Sequence, residues 1–170
     1  MKSDLSLIKN FRIIFSNSGM KFKDNIILLS TKASNLIEIL GSQPRILDAG
    51  KETGNMFYFW DNLGIYAIKD VKSEAIVEIS IAMNKDEDED EFFPFNMFNG
   101  DIQIEEFVFN RNSSFMTLEK TGMFNSESIL FLEKKLGKYL LDVEIGDEDE
   151  LLNVGFSLSY SYSHKKTWDH

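Results

Sequence analysis

The sequence predicts an α+β fold, mostly antiparallel sheet with two helices, built from two similar ββαβββ halves. Three observations lead there. Apolar and polar residues alternate with period 2 in several stretches, which is the signature of strands with one packed face. Only two stretches carry helical spacing between capping signals. One pattern of elements also occurs twice along the 170 residues. The chain reads as a single domain, 1–170, with halves at roughly 11–84 and 99–162.

In the first half, Phe22–Leu29 precedes the better helix. Ser30 or Thr31 is the expected cap, with a side-chain oxygen accepting from a free backbone N–H. Ala33, Leu36, Ile37 and Leu40 fall on one helical face, Gly41 suits the left-handed position after the helix, and Pro44 follows. Phe57–Tyr66 then reads as an apolar strand, a turn and Leu63-Gly64-Ile65-Tyr66. In that turn Asp61 and Asn62 tolerate left-handed geometry and bond the local backbone, while Trp60 and Leu63 close the core edge. Val77, Ile79, Ile81 and Met83 alternate with Glu78, Ser80 and Ala82.

The second half repeats this with different spacing. Ile104–Phe109 precedes a weaker helix capped by Ser113 or Ser114 and closing at Gly122. Leu130–Leu132, a polar turn Glu133–Lys135 and Leu136-Gly137-Lys138-Tyr139 answer Phe57–Tyr66. In Leu141–Ile145 the alternate positions are carboxylates, so that face is expected to meet water. Val154–Tyr162 has one apolar and one small polar face, as in a sheet packed on one side.

The linker Asn84–Asn99 holds six consecutive carboxylates, Asp86–Glu91, and then Phe92-Phe-Pro-Phe-Asn-Met-Phe98. Two uses of the aromatic run are open: it folds back into the seam between halves, or it stands as an exposed anchor beside an acidic rim.

Composition narrows function. There is no cysteine, hence no disulfide, thiolate metal site or cysteine nucleophile. The two histidines, His164 and His170, lie near the C-terminus and argue against imidazole-based catalysis or a His₃ metal site. Asp86, Asp88 and Asp90 imitate the start of an EF-hand loop, but Glu91 and Met97 stand where Gly and a bidentate Glu belong. Phosphate-binding glycine loops and a nucleophile elbow are both missing. No cofactor, no metal and no enzymatic activity are expected. The N-terminal stretch is broken by Lys9 and Asn10, and no run of about 20 apolar residues occurs, so a cytoplasmic protein is expected.

Charge is lopsided. Through Lys85 there are 11 Lys/Arg against 9 Asp/Glu; from Asp86 on there are 7 against 19, so the second half carries −12 and the first +2, and all the excess negative charge lies in the second half. Such a chain is a poor ligand for nucleic acid or an anionic membrane and a good one for a basic protein.

Phe57-Tyr-Phe-Trp-Asp-Asn-Leu-Gly-Ile-Tyr66 followed by Ile76–Ile81 resembles a family of small bacterial domains of uncharacterised function, found among predicted immunity proteins of polymorphic toxin and type VI secretion systems. The likeness is best over residues 20–110. It implies a protein that binds and neutralises a cognate toxin, a basic one such as a nuclease, and offers no catalytic residues. The candidate partner-binding residues are Asp86, Asp88, Asp90, Asp147, Glu148 and Asp149, with Phe95, Phe98 and Trp60 as aromatic anchors. The alternative is a scaffold that self-associates, as a homodimer, through the Phe-rich linker.

Overall fold

The computed structural model describes residues 11–49, 53–85, 91–128 and 130–158. Two sheets and two short helices enclose one core, as the α+β expectation requires. The five-stranded sheet holds β1 (Phe11–Ser16), β2 (Gly19–Phe22), β3 (Asn25–Ile27), β8 (Gly100–Ile104) and β9 (Phe107–Asn110), in the order β3-β2-β1-β8-β9. The eight-stranded sheet holds β4 (Arg45–Asp48), β5 (Asn55–Trp60), β6 (Ile65–Asp70), β7 (Ile76–Ala82), β10 (Asn125–Ser128), β11 (Phe131–Leu136), β12 (Tyr139–Ile145) and β13 (Leu151–Leu158). Its order is β10-β11-β12-β13-β7-β6-β5-β4. All described pairings are antiparallel except β1 with β8. Three strands precede α1 (Ala33–Leu40) and four follow it; two precede α2 (Phe115–Glu119) and four follow it. Each half therefore departs from the expected ββαβββ order. The strands that alternation did not reveal include β4 and β10, four-residue edge strands with polar residues at their ends.

The two sheets meet through aromatic rings. Phe15 of β1 lies 5.1 Å from Phe156 of β13, and Phe156 lies 4.7 Å from Tyr139 of β12. Leu36 and Leu40 of α1 and Leu118 of α2 join the same buried cluster. α1 ends as its sequence implies, with Gly41 at φ 77° and its N–H donating to the Ile37 carbonyl. Its start does not. The N-cap is Lys32, which makes no side-chain cap; Ser30 adopts φ 71° and Thr31 Oγ1 accepts from Asn35 instead. The backbone explains this: Ser30 N–H donates to Ile76 O, and Ile76 N–H donates to Thr31 O, so these residues are spent on β7. In α2 the cap is Ser114, whose hydroxyl accepts from Thr117 N–H.

Three further expectations are corrected. Glu133–Lys135 is not a turn: it lies inside β11, and the β11–β12 hairpin turns on Gly137 and Lys138 alone. The β5–β6 turn is longer, spanning Asp61–Gly64, so the two Leu-Gly-x-Tyr motifs serve hairpins of different length. Asp142 is 5% exposed and does not face water, because β12 is an inner strand and Gly155, opposite it, leaves the space its carboxylate fills. β13 is likewise buried along its whole length, including Asn153 and Ser157. Its small polar face is covered as well as its apolar one: Asn153 Nδ2 donates to the Tyr66 hydroxyl at 3.0 Å, and the Asp142 carboxylate lies over Gly155. The residues after Leu158, with His164 and His170, lie outside those described.

Gly64 has two reasons to be glycine. It sits at φ 67°, and a Cβ there would run into the backbone of Met97 and Phe98. Replacing it by alanine is expected to destabilise the fold by about 2 kcal/mol or more, read as a lower urea midpoint with an unchanged slope.

Candidate functional site

The Phe-rich linker returns to the protein, over β5 and β6, and reaches the β7–β13 seam only at its end, where Phe98 meets Ala82. β5 and β6 present Phe57, Phe59 and Tyr66 on the face of the sheet opposite the core, with Arg45 of β4 beside Phe59. Phe92 packs edge-on against Phe57 at 5.7 Å, and Phe93 lies 6.1 Å from Tyr66. Phe98 continues inward to the core, its N–H donating to Ala82 O at 2.7 Å.

One ion pair fixes this segment. Arg45 Nε donates to Asp61 Oδ2 at 2.9 Å and a terminal guanidinium nitrogen donates to Oδ1 at 3.0 Å, a two-pronged pair. The same guanidinium donates to the carbonyls of Glu91 and Phe93, both at 3.1 Å. Asp61 Oδ1 accepts from Phe95 N–H at 2.9 Å. The guanidinium carbon is 4.3 Å from the centre of the Phe59 ring and 4.3 Å from that of Phe95, so the cation is sandwiched. Asp61 therefore spends its carboxylate on a distant strand and the linker, not on its own turn. Burial alone would raise the Asp61 carboxyl; hydrogen bonds from Arg45 and Phe95 N–H outweigh it and hold it below the ordinary aspartate range. The hydrogen bond to Asp61 raises Arg45 in turn.

The predicted anchors divide. Phe95 is 69% exposed, held in place by its own N–H and by Arg45. Trp60 and Phe98 are each 2% exposed and belong to the core, which withdraws them as surface anchors. Trp60 is fully employed there, its Nε1 donating to Ser42 O at 3.0 Å. Phe92, 45% exposed, is the aromatic neighbour that sequence reasoning did not single out. Asp86, Asp88 and Asp90 lie outside the described residues. In the second acidic run, Asp147 and Glu148 are exposed. Asp149 is half-buried and structural: its carbonyl accepts from Phe115 N–H at 3.0 Å and its carboxylate from Met116 N–H at 3.3 Å, where α2 begins. Glu150 braces the turn, accepting from Glu148 N–H at 2.8 Å.

Among the described residues no group of three or more His, Cys, Asp or Glu is placed to hold a metal ion. Among them, too, no helix is long and apolar enough to cross a membrane. The arrangement offers a surface: an aromatic pair, Phe92 and Phe95, on a braced segment that directly follows six carboxylates in the chain.

Since Asp61 is held more acidic in the fold than the roughly 3.9 of an unfolded aspartate, its contribution is full above that value and is lost as pH falls through the folded one. Asp61→Asn should flatten the acid limb of the stability–pH profile, measured by urea unfolding from about pH 5 to pH 2. Arg45→Met should cost about 2 kcal/mol, because it leaves Asp61 and two linker carbonyls without their donor.

A family model for a domain of unknown function (DUF7738) matches residues 12–119. That span runs from β1 through α2 and includes the Arg45–Asp61 pair and the whole aromatic linker. No curated protein and no solved structure matches the chain.

Proposed function

The chain belongs to this family of domains of unknown function (DUF7738), and from that premise we propose that it acts by binding a basic protein rather than by chemistry of its own. The reading is an antitoxin-like immunity protein of the cytoplasm that neutralises a cognate toxin. The observation that carries it is Phe95: a large apolar side chain left 69% exposed on a segment pinned by three hydrogen bonds to the Arg45–Asp61 pair. Mobile loops can leave a phenylalanine in water by accident of sampling; a braced one presents it at little further entropic cost on binding. Aromatic side chains of this kind concentrate binding energy.

Charge supports the choice of partner. Asp86–Glu91 precede the aromatic pair in the chain, and Asp147 and Glu148 add exposed negative charge elsewhere. A cationic partner is steered by such a field, and a nuclease, whose groove must attract phosphate, is the class that fits it best. The resemblance read in Phe57–Tyr66 implies the same role. Nothing in the role requires a nucleophile, a metal or a general acid.

The test uses the product of the neighbouring gene as the partner. Phe95→Ala should speed dissociation about 30-fold, the effect of a strong interface anchor. Asp147→Asn with Glu148→Gln should slow association several-fold and reduce its dependence on salt. Unchanged kinetics in both variants overturns the proposal. Sedimentation supplies a second reading, because a stable homodimer that Phe95→Ala dissociates, with no affinity for the partner, identifies a self-associating scaffold.

A further inference from the structure

The inward face of β6 carries an anomaly. Ile65 and Ala67 point into the core, as period 2 requires, and Lys69 continues the same face at 7% exposure. A lysine so placed loses most of its hydration and needs an anion beside it. That anion is Glu74, from the β6–β7 turn, at 2.6 Å from Nζ. The pair is unequal: the lysine side chain is 9% exposed, whereas that of Glu74 is 66% exposed, on a residue at φ 59°. The cation is built into the fold; its carboxylate is reached in from solvent.

The lysine lies at a groove of about 400 Å³ between the start of α1 and strands β4–β6. Ile46, 49% exposed, and Ile37 line it, as do the Tyr58 side chain and Ser34 of the first turn of α1. One wall is thus apolar and unshielded; the other end holds the enclosed Lys69 ammonium, which bonds the Tyr58 side chain as well as Glu74, and the exposed Lys32 adds a second positive charge at the rim. A bare phosphate would satisfy the ammonium and leave the isoleucines in water. A plain apolar guest would bury the isoleucines and gain nothing from the ammonium.

We propose that this groove binds a carboxylate carried on a short branched aliphatic group, which takes the place of the Glu74 carboxylate on Lys69 and lays its methyl groups on Ile37 and Ile46. Glu74 is the resident occupant of the anion position. It leaves readily because its carboxylate is already largely solvated, and no bond is made or broken beyond hydrogen bonds and the ion pair. Two sources share this chemistry: a free branched-chain acid, and the C-terminus of a peptide that ends in an aliphatic residue. The site is separate from the Phe95 surface, so it stands or falls independently of the proposed partner.

The experiment is a titration of the ¹⁵N-labelled full chain, followed by amide shifts, with 3-methylbutanoate, with N-acetyl-glycyl-valine and with the C-terminal amide of that dipeptide. Saturable shifts at Ser34, Ile46 and Lys69 are expected for the acids, with affinities in the millimolar range usual for so small a guest, and none for the amide. The tighter of the two acids identifies the source. Glu74→Gln should bind about three- to tenfold more tightly, since the internal competitor loses its charge. Lys69→Met should abolish binding. No saturable shift for either acid at about 20 mM, equal binding of the amide, or no tightening in Glu74→Gln overturns the proposal, whether or not Lys69→Met folds.

Discussion

The pairing of β7 with β13 is the constraint on which the molecule depends. These strands are separated in sequence by the linker, five strands and a helix, yet Ile79 faces Phe156 and Ile81 faces Val154 in register. This one ladder turns two four-stranded sets into a single sheet of eight. It places Phe156 where it can meet Phe15 of the other sheet, and it lets α1, α2 and both sheets share one core. The parallel β1–β8 pair does the same for the smaller sheet.

That arrangement also decides what the linker can do. Between β7 and β8 the chain has to cross from one sheet to the other, and it does so over the outer face of β5 and β6. The aromatic residues make the crossing favourable, and Arg45 with Asp61 makes it specific. The Arg45–Asp61 pair is only partly enclosed, and guanidinium–carboxylate pairs out of water rarely add much stability over apolar packing. Their value lies in geometry: a fork with fixed donor directions can hold a carboxylate, two carbonyls and two ring faces at once only in one arrangement. The placement of Phe95 is a product of that selection.

The parts of this that were legible in the sequence were local. Alternation located β7 and β13, glycine ended α1, and Ser114 capped α2, because each rests on neighbours a few residues away. What escaped was non-local. β4 is a short edge strand whose existence depends on β5, and Arg45 gains meaning only when the distant Asp61 and the returning linker meet it. The same holds for Phe98, which looks like an anchor in a list of residues and is core in space; Trp60, also named as an anchor, is core as its place beside the Asp61–Asn62 turn implied. Asp142 and Lys69 were invisible for a related reason: a polar residue within a strand reads as surface, and only the neighbouring strands reveal that it is enclosed. In the candidate surface, Phe95 was legible as an aromatic beside acids, and the brace that presents it was not.

The order of strands has a kinetic side. β7 becomes available early in synthesis, but its partner is the last strand of the described fold, so the middle of the large sheet stays open until residue 158 has left the ribosome. A topology with so many contacts between distant residues folds slowly for its size. During that interval the Val77–Ile81 stretch has an unpaired edge, and the run Asp86–Glu91 follows it in the chain at the place where flanking charges generally oppose edge-to-edge pairing.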